Sequence, residues 1–352
     1  MTAESIASFY QNAIESGAGF EGQLAEEFQT RLALAHAEAG LDECDFYYTM
    51  ELGDGEVVEG AWDLRGGERS YLGHVDVDGQ RVLELGPATG HLSFFMERQG
   101  ADIVAFDLAP GMAADIVPQE GHDLEAHRRL SLVYAERVRN SWWYGHRKLG
   151  SRCRAVYGDI YQLPGDLRRF DISTFGAILM HLSKPFFALQ QAAALTDKAI
   201  VVTDSIPSLS AHPDATACEF APVDTTKSVV VWWQLTPGAI IRMLRVLGFL
   251  EFSVHYHVQK HHTHHELDRP AAASLLYTVV AERHEGWAPR LERTESERDA
   301  ELEVRRAWGR DGATMEQVQV ELSVLRSSVF WCLTWPVRML GSVLRRAGLR
   351  AR

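Results

Sequence analysis

One short stretch of the chain, RVLELGPATGHLSFFMERQGADIVAFDLAP (residues 81–110), combines acidic residues, glycines and apolar runs. Glu84, Gly86 and Gly90 lie at the end of an apolar run, and Asp107 ends the next run. Glycine allows a sharp turn and a close approach of the backbone to a ligand, because it lacks a Cβ atom. Backbone amides at the start of the following helix would face that ligand, and a carboxylate at the tip of the second strand can accept hydrogen bonds from a ribose diol. The grouping therefore predicts a nucleoside site.

The acid inside the turn discriminates between nucleosides. Glu84 would repel a pyrophosphate group, but its carboxylate can bind a cationic amino group directly or through water. The spacing from Gly86 to Gly90 also differs from the GxGxxG pattern of dinucleotide sites, with Ala88 where a middle glycine would fall. These features favour S-adenosylmethionine over NAD. A plain strand–turn–helix connection in another doubly wound fold is the alternative.

Short apolar runs alternate with helical patterns over residues 76–205, which is typical of a parallel sheet covered by helices. The predicted strands are RVLELG, DIVAFDL, RCRAVYGDI, FDISTFGAI and KAIVVTDSI. Residues 206–284 add a helix, TPGAIIRMLRVLGF, and two apolar runs, LEFSVHYHV and SLLYTVVAER, that can pair as antiparallel strands. The sequence therefore predicts an α/β fold.

The segment VLELGPATGHLSFFMERQGADIVAFDL resembles the first motif and the acidic loop of class I S-adenosylmethionine-dependent methyltransferases. The resemblance continues through VYGDIYQLP and FDISTFGAILMHLSKP, and it implies a Rossmann-like, seven-stranded methyltransferase sheet with N-terminal helices and a C-terminal helical, coiled-coil tail. Two departures from the family are Ala88 and the long segment Ala109–Arg154 between the second and third strands. The resemblance implies that the cofactor is held by Glu84, Gly86 and Gly90 at its methionine end, by Asp107 at the ribose, and by Leu108, Asp159 and Ile160 at the adenine.

Methyl transfer from a sulfonium is an in-line displacement, so an enzyme must align the acceptor and, for a hydroxyl, remove its proton. The loop after the fourth strand reads FGAILMHL and lacks the Asn/Asp-Pro-Pro-aromatic motif of enzymes that methylate amides or base amines. His181 in this loop is the predicted general base, since an unperturbed histidine titrates near neutrality. Asp204, at the end of the fifth strand, is a second catalytic candidate. For His181, the alternatives are a histidine satisfied at a helix start and one that lines the cofactor pocket without a proton role. For Asp204, the alternative is an aspartate that caps a helix or loop.

An aromatic and cationic helical segment, YAERVRNSWWYGHRKLGSR, precedes the third strand. Such a helix can form a lid over the acceptor, because aromatic faces with polar neighbours suit sugar rings and stacked bases equally. Packing in the core is the alternative. The predicted substrate contacts are Tyr134, Arg137, Trp143 and Tyr144 in this segment, and Trp232 in a later aromatic pair.

Six histidines are concentrated in VHYHVQKHHTHHELD. Such a density of imidazoles can bind a divalent metal. However, no cysteine or clear acid pair accompanies them, and the pattern indicates a strand followed by an exposed turn. We therefore predict no metal site.

The two ends of the chain differ from its middle. Residues 1–75 indicate an N-terminal helical and cap segment that precedes an S-adenosylmethionine-binding domain, 76–284. Residues 285–328 are charged and have coiled-coil character, which favours self-association, with a solvated helix as the alternative. Residues 329–352 combine aromatic residues with arginines, which is typical of an amphipathic segment at a membrane surface or on a partner. A terminal helix that packs on the body is the alternative, and the stretch also resembles the tails of bacterial surface-polysaccharide enzymes.

Composition limits the kinds of partner. The net charge of −13 argues against broad nucleic-acid binding, because that affinity comes mostly from Lys and Arg. The four cysteines contain no CxxC pair and suit a reducing cytoplasm, and the N-terminus does not resemble a secretory signal. We therefore expect a cytoplasmic protein with peripheral contact at the inner membrane face through residues 329–352.

These features lead us to expect an enzyme that transfers the methyl group of S-adenosylmethionine to a hydroxyl of a sugar or glycan-linked acceptor. Two alternatives remain open. The core is also similar to the branch that contains tRNA wobble-uridine carboxymethyltransferases, so a tRNA-modifying enzyme is one of them. The other is a non-catalytic protein that binds the cofactor and scaffolds an assembly.

Overall fold

The structure is a computed structural model, and it describes residues 23–165, 167–206, 214–222, 229–262, 271–288 and 290–308. The predicted first helix, ESIASFYQNAIES, lies outside these ranges, as do the coiled-coil segment beyond residue 308 and the tail 329–352. The predicted turn of the histidine-rich segment is also largely outside them.

The described ranges contain seven helices and twelve strands. The helices are α1 (Glu26–Ala35), α2 (Glu68–Tyr71), α3 (His91–Arg98), α4 (Leu124–Leu149), α5 (Pro185–Leu195), α6 (Pro237–Val246) and α7 (Glu295–Trp308). The strands are β1 (Met50–Glu51), β2 (Val57–Val58), β3 (Trp62–Asp63), β4 (Arg81–Leu85), β5 (Asp102–Leu108), β6 (Arg154–Gly158), β7 (Phe170–Gly176), β8 (Thr196–Ser205), β9 (Cys218–Phe220), β10 (Trp233–Leu235), β11 (Glu251–His261) and β12 (Ala272–Glu282). Two short 3-10 helices cover Leu41–Glu43 and Leu179–His181.

Eight strands form one sheet in the order β3-β11-β12-β8-β7-β4-β5-β6. The five strands from β8 to β6 are parallel. Strand β12 is reversed and pairs antiparallel with both β8 and β11. The predicted α/β class and the Rossmann-like, seven-stranded sheet are confirmed, and so is the predicted pairing of the last two apolar runs. Strand β3 adds two residues at the outer edge of β11.

The sheet has a hydrophobic core on each face. Side chains of neighbouring residues in a strand point to opposite faces, and Val82 and Leu83 of β4 accordingly belong to two different clusters. The cluster around Leu83 includes side chains of α5, α6 and α7. The cluster around Val82 includes α3, α4 and the residues that precede the sheet, among them Phe46 and Leu64. The chain before β4 is therefore packed directly on one face of the sheet.

Helix α4 fills most of the long segment between β5 and β6. Its N-terminus is capped by Asp123, whose side chain accepts a hydrogen bond from the backbone N–H of Ala126 at 2.9 Å. Gly150 ends the helix in a left-handed conformation, with φ of 61°. The helix is 26 residues long but carries many charged side chains. Across the residues that the structure describes, no helix is long and apolar enough to span a bilayer.

Candidate functional site

A cavity of about 520 Å³ opens at the carboxyl ends of β4, β5 and β7. Gly86 follows β4, Asp107 and Leu108 end β5, and Gly176 ends β7, and all four line the cavity. Helix α4 and the segments 114–116 and 229–230 form its sides. This edge is where ligands bind in open α/β sheets.

The predicted glycine turn has the backbone geometry that its residues suggest. Gly86 has φ of 73° and Gly90 has φ of 90°, both in the region that favours glycine. A Cβ atom at Gly86 would lie 2.5 Å from Cδ1 of Ile178, so that side chain would have to shift to make room for it. Ala88, which replaces a glycine of the family pattern, also has a positive φ, 47°, and lines the cavity. The turn therefore holds a non-glycine residue in a strained conformation.

Glu84 lies beneath the turn and not in the main cavity. It is buried and accepts a hydrogen bond from the hydroxyl of Ser93. The pKa of Glu84 is raised to about 7, mainly by burial; the bond from Ser93 opposes the shift, and the charge of Asp107 adds to it. A small void beside it is shared with Tyr48, Tyr71 and Gly86. A cation placed near the turn would favour the ionised form of this carboxyl group.

Asp107 faces the cavity from the end of β5. Its Oδ1 accepts a hydrogen bond from the backbone N–H of Leu108 at 2.7 Å, whereas Oδ2 has no partner within the described ranges. Burial raises the pKa of Asp107, and the bond from Leu108 and the charge of Arg139 oppose this shift. The almost fully buried Arg139 donates to the carbonyl oxygen of Leu108 at 3.2 Å and stacks over the ring of Tyr157. One carboxylate oxygen therefore stays available for a ligand at a fixed position.

His181 lies on the opposite side of the cavity, in the 3-10 helix after β7. Its Nδ1 is 2.6 Å from the carbonyl oxygen of Val230 and must donate the hydrogen, because a carbonyl only accepts. In the part of the chain that the structure describes, Nε2 has no hydrogen-bond partner. Burial lowers the pKa of His181, and the bond to Val230 opposes that shift. A neutral ring with a free Nε2 lone pair is the form that a general base requires.

Asp204 is buried at the end of β8 and does not line the cavity. Its Oδ1 accepts from the backbone N–H of Ser205 at 2.7 Å, and Oδ2 is buried without a partner among the described residues. Burial raises the pKa of Asp204 to about 7, with the bond from Ser205 opposing. This carboxyl is therefore set apart from the cavity that holds His181.

The two residues predicted at the adenine also lie outside the cavity lining. Asp159 uses Oδ1 to accept a hydrogen bond from the backbone N–H of Tyr161 at 2.9 Å, so it closes a local turn. Ile160 is buried in the hydrophobic core. Their contact with a nucleoside stays a prediction.

Helix α4 presents a different face to the cavity from the one that the sequence suggested. Of the four predicted substrate contacts on this helix, only Tyr134 lines the cavity. Arg137 instead donates to the carbonyl oxygens of Asp42 and Cys44, at 2.9 and 2.6 Å, and so fastens the helix to the N-terminal segment. The cavity face carries His127, Leu130, Ser131, Tyr134, Ala135, Val138 and Arg139.

The remaining predicted aromatic contacts serve packing or bracing. Trp143 is buried in the core, and its indole N–H donates to the hydroxyl of Tyr157 at 2.9 Å. Tyr144 donates to Glu56 at 3.2 Å. The indole N–H of Trp232 donates to the backbone carbonyl of residue 115 at 3.1 Å. These three residues are absent from the cavity lining because each side chain is engaged elsewhere.

Two adjacent tyrosines of the N-terminal segment line the cavity although the sequence reading did not single them out. Tyr47 and Tyr48 are in edge contact, with ring centroids 5.0 Å apart. The backbone N–H of Tyr48 donates to the hydroxyl oxygen of Thr89 in the glycine turn, at 3.2 Å. This bond joins the N-terminal segment to the turn. The aromatic pair in FYYTM was the available signal, but its partner lies far away along the chain.

Asp115 fixes the segment that forms one wall. Its Oδ2 accepts from the backbone N–H of Ser183 at 2.7 Å and from the hydroxyl of Tyr161. Next to it, the backbone N–H of Val117 donates to the carbonyl of Val229 at 2.7 Å. The loop after β5 is therefore tied both to the loop after β7 and to segment 229–230.

The histidines of β11 have structural partners. His257 is buried, and its Nε2 lies 3.0 Å from the hydroxyl of Thr278. His255 lies 3.4 Å from Glu301 of α7 and in edge contact with His74. Within the described ranges, no group of three or more His, Cys, Asp or Glu side chains has an arrangement that would hold a metal ion.

No family model matches the chain, and neither does any curated protein. Solved structures with low identity do. The N-terminal domain of EvdMO1 with S-adenosylhomocysteine bound is 20% identical with a TM-score of 0.42, covering 72% of this chain and 97% of that one. Magnesium protoporphyrin IX methyltransferase from Synechocystis is 14% identical with a TM-score of 0.35, covering 59% and 76%. Human N-acetylserotonin methyltransferase is 14% identical with a TM-score of 0.38, covering 62% and 52%. At these identities and TM-scores, the ligands of those proteins do not transfer to this chain.

Proposed function

We propose that the chain is an S-adenosylmethionine-dependent methyltransferase that acts on a hydroxyl of a small-molecule acceptor, namely a sugar or a glycan-linked group. The observation that carries the proposal is that Oδ2 of Asp107, beside the Gly86 turn, and Nε2 of His181 belong to the lining of one cavity, and neither has a hydrogen-bond partner among the described residues. The carboxylate proposed to bind the ribose and the imidazole proposed as the base therefore line the same cavity.

The residues of the turn fit the donor. Gly86 lines the cavity and carries no Cβ atom, so the backbone can approach a ligand closely there. Asp107 would accept hydrogen bonds from the ribose hydroxyls, as acids at the end of this strand do in nucleoside sites. Glu84, with its pKa raised to about 7, would gain its charge when the cationic amino group of the methionine end binds nearby.

The base would act on the acceptor hydroxyl. S-adenosylmethionine supplies an electrophilic methyl group on a sulfonium. Nε2 of His181 takes the hydroxyl proton while the acceptor oxygen forms its bond to the methyl carbon. The C–S bond breaks and its electrons stay on sulfur, so S-adenosylhomocysteine leaves. The bond from Nδ1 of His181 to the carbonyl of Val230 keeps the ring in the required tautomer and orients it.

Donor binding is the first test. Isothermal titration of S-adenosylhomocysteine into the purified chain is expected to show one site, and Asp107→Asn is expected to weaken binding about 10- to 100-fold, because a hydrogen bond to a charged group is lost. The control is Asp54→Asn, which alters an exposed aspartate in a surface turn. If the wild-type chain does not bind, or if Asp107→Asn binds equally well, the proposal is wrong.

The acceptor is tested in cells. Deletion of the protein is expected to remove the mass of one methylene per repeat from a surface glycan, as measured by mass spectrometry. Complementation with the wild-type chain is expected to restore that mass, and His181→Asn is expected to fail while retaining affinity for S-adenosylhomocysteine. An unchanged glycan together with a change in tRNA would instead support the tRNA-modifying alternative, which the net charge of −13 disfavours.

Three further expectations concern location and association. We propose that the protein is cytoplasmic and that residues 285–328 self-associate. We also propose that residues 329–352 contact a membrane surface, because aromatic residues and arginines are combined there. Flotation with anionic liposomes should carry the full chain upward and leave behind a version without 329–352. Equal flotation of both would exclude the membrane contact.

A further inference from the structure

The cavity opens to solvent along an apolar ramp on helix α4. Leu130, Tyr134 and Val138 are spaced four residues apart, so they lie on one face of the helix, and all three line the cavity. Their exposed fractions fall steadily inward, from 67% for Leu130 through 36% for Tyr134 to 8% for Val138. The ramp therefore leads from the surface to the space between Asp107 and His181.

A second wall of the cavity, formed by segments 114–116 and 229–230, is also apolar. Ile116, Val229 and Val230 line it, and Val230 is itself exposed at the mouth. The hydrogen bond between the backbones of Val117 and Val229 holds the two parts of this wall together. Single exposed apolar residues are common on protein surfaces and need no explanation. Here, by contrast, they continue the lining of a ligand cavity on both sides.

We infer that the acceptor carries an apolar alkyl or aromatic group next to its methylated hydroxyl, and that this group lies between the α4 ramp and Val230. This inference rests on the proposed function and specifies its substrate class. A bare sugar would leave the ramp in water, whereas a sugar attached to an apolar carrier would cover it. The polar side chains of the lining suit the hydroxyl end, since Asp107 and His181 line the same cavity as the ramp.

A homologous series of ligands tests the inference. The probes are the n-alkyl β-D-glucosides from methyl to hexyl, titrated calorimetrically into the full chain saturated with S-adenosylhomocysteine. Affinity is expected to rise about fourfold for each added methylene, which is the usual effect of burying one such group.

Variants then locate the effect. Leu130→Ser is expected to reduce the gain in affinity for each added methylene. Leu130→Met, which keeps the apolar bulk, is expected to preserve that gain. The control is Leu34→Ser, because Leu34 is similarly exposed but belongs to α1 and does not line the cavity. In that control, the gain in affinity for each added methylene should be the same as in the wild type.

Three results would overturn the inference. They are an absence of binding by every glucoside, equal affinity along the whole series, or a slope that Leu130→Ser leaves unchanged. Titration of S-adenosylhomocysteine into the same samples distinguishes a failure of the apolar-acceptor inference from a failure of the proposed function. If that ligand binds and the series is flat, only the apolar acceptor is wrong, whereas if it does not bind, the proposed function itself fails.

Discussion

At the scale of single residues, the carboxyl edge of the sheet, where the candidate site lies, holds side chains and backbone in states that are unfavourable elsewhere. Ala88 and Ala177 both have positive φ and both line the cavity. Glu84 and Asp204 are buried carboxyl groups whose pKa values are raised to about 7. Such states persist only where the surrounding fold enforces them, and they concentrate at functional sites.

The strain at Ala88 predicts opposite outcomes for two alanine-to-glycine substitutions in the same cavity. Ala88→Gly should leave stability unchanged or raise it by up to about 1 kcal/mol, because glycine adopts a φ of 47° without steric cost. Ala135→Gly should destabilise by about 1 kcal/mol, because it lies within helix α4. Urea denaturation measures both. Equal destabilisation by the two changes would show that Ala88 is not strained.

The burial of Glu84 predicts a pH dependence of stability. Its pKa is raised from 4.5 to about 7, so between these values the folded chain holds a proton that the unfolded chain releases. The free energy of unfolding should therefore fall as pH rises through this window, by at most about 1.4 kcal/mol per pH unit for this group. Glu84→Gln should make that decline shallower, as urea denaturation at pH 5, 6 and 7 would measure.

The matched control for Glu84→Gln is Glu38→Gln, which removes one exposed carboxylate. Part of the decline should survive in Glu84→Gln, because Asp204 has a pKa raised in the same direction. A slope identical to that of the wild type would contradict the assignment of a buried, protonated Glu84.

The sequence located the residues whose role follows from local spacing. Gly86, Asp107 and His181 were all predicted, and all three line one cavity. Arg139 and Tyr48 were not predicted, although they line it too. Their place depends on how α4 and the N-terminal segment pack on the sheet, and no short motif encodes that packing.

At the scale of elements, helix α4 shows why a helical pattern was insufficient. Two adjoining faces of the helix are occupied, one by the N-terminal segment and one by the cavity. Arg137 and Tyr144 belong to the first face, and Leu130 and Val138 to the second. Both faces repeat every three to four residues, so periodicity alone cannot tell which of them meets a ligand. Tyr134 was the one predicted residue of this helix that lines the cavity.

Because Asp115 connects the loop after β5 to the loop after β7, removal of its side chain is expected to loosen this wall of the cavity. Asp115→Ala should leave the backbone N–H of Ser183 and the hydroxyl of Tyr161 without their acceptor, at a cost of about 1–3 kcal/mol. Hydrogen exchange should accelerate at the amides of Ser183 and Val117. Asp115→Asn keeps an acceptor oxygen and should change exchange less. Unaltered protection in the alanine variant would show that the wall does not depend on this side chain.

At the scale of the whole molecule, the positions of the central strands were predictable because parallel strands are buried on both faces and appear as continuous apolar runs. Strand β5 coincides with the predicted DIVAFDL. Strands β1, β2 and β3 have two residues each, which is too short for any periodicity. Their positions are set by tertiary packing alone.

Helix α7 contributes to the stability of the whole fold through one buried residue. Val304 joins the core cluster on its face of the sheet, while Leu302 on the same helix is exposed. Val304→Ala should destabilise the protein by about 1–3 kcal/mol through lost burial and the cavity left behind. Leu302→Ala should stay within about 0.5 kcal/mol of the wild type in the same urea denaturation. Similar values for both would mean that the helix is not packed on the sheet.

The cavity is lined by the ends of sheet strands and by segments that lie outside the sheet. On the proposed function, the donor would lie at strand ends held along their length by neighbouring strands, and the acceptor would lie against α4, segment 114–116 and segment 229–230. On the proposed function, a chimaera that exchanged only the second set would receive a new acceptor preference and keep its grip on the methyl donor. In the course of evolution, substitutions in these segments could likewise change the acceptor while binding of the methyl donor stays the same.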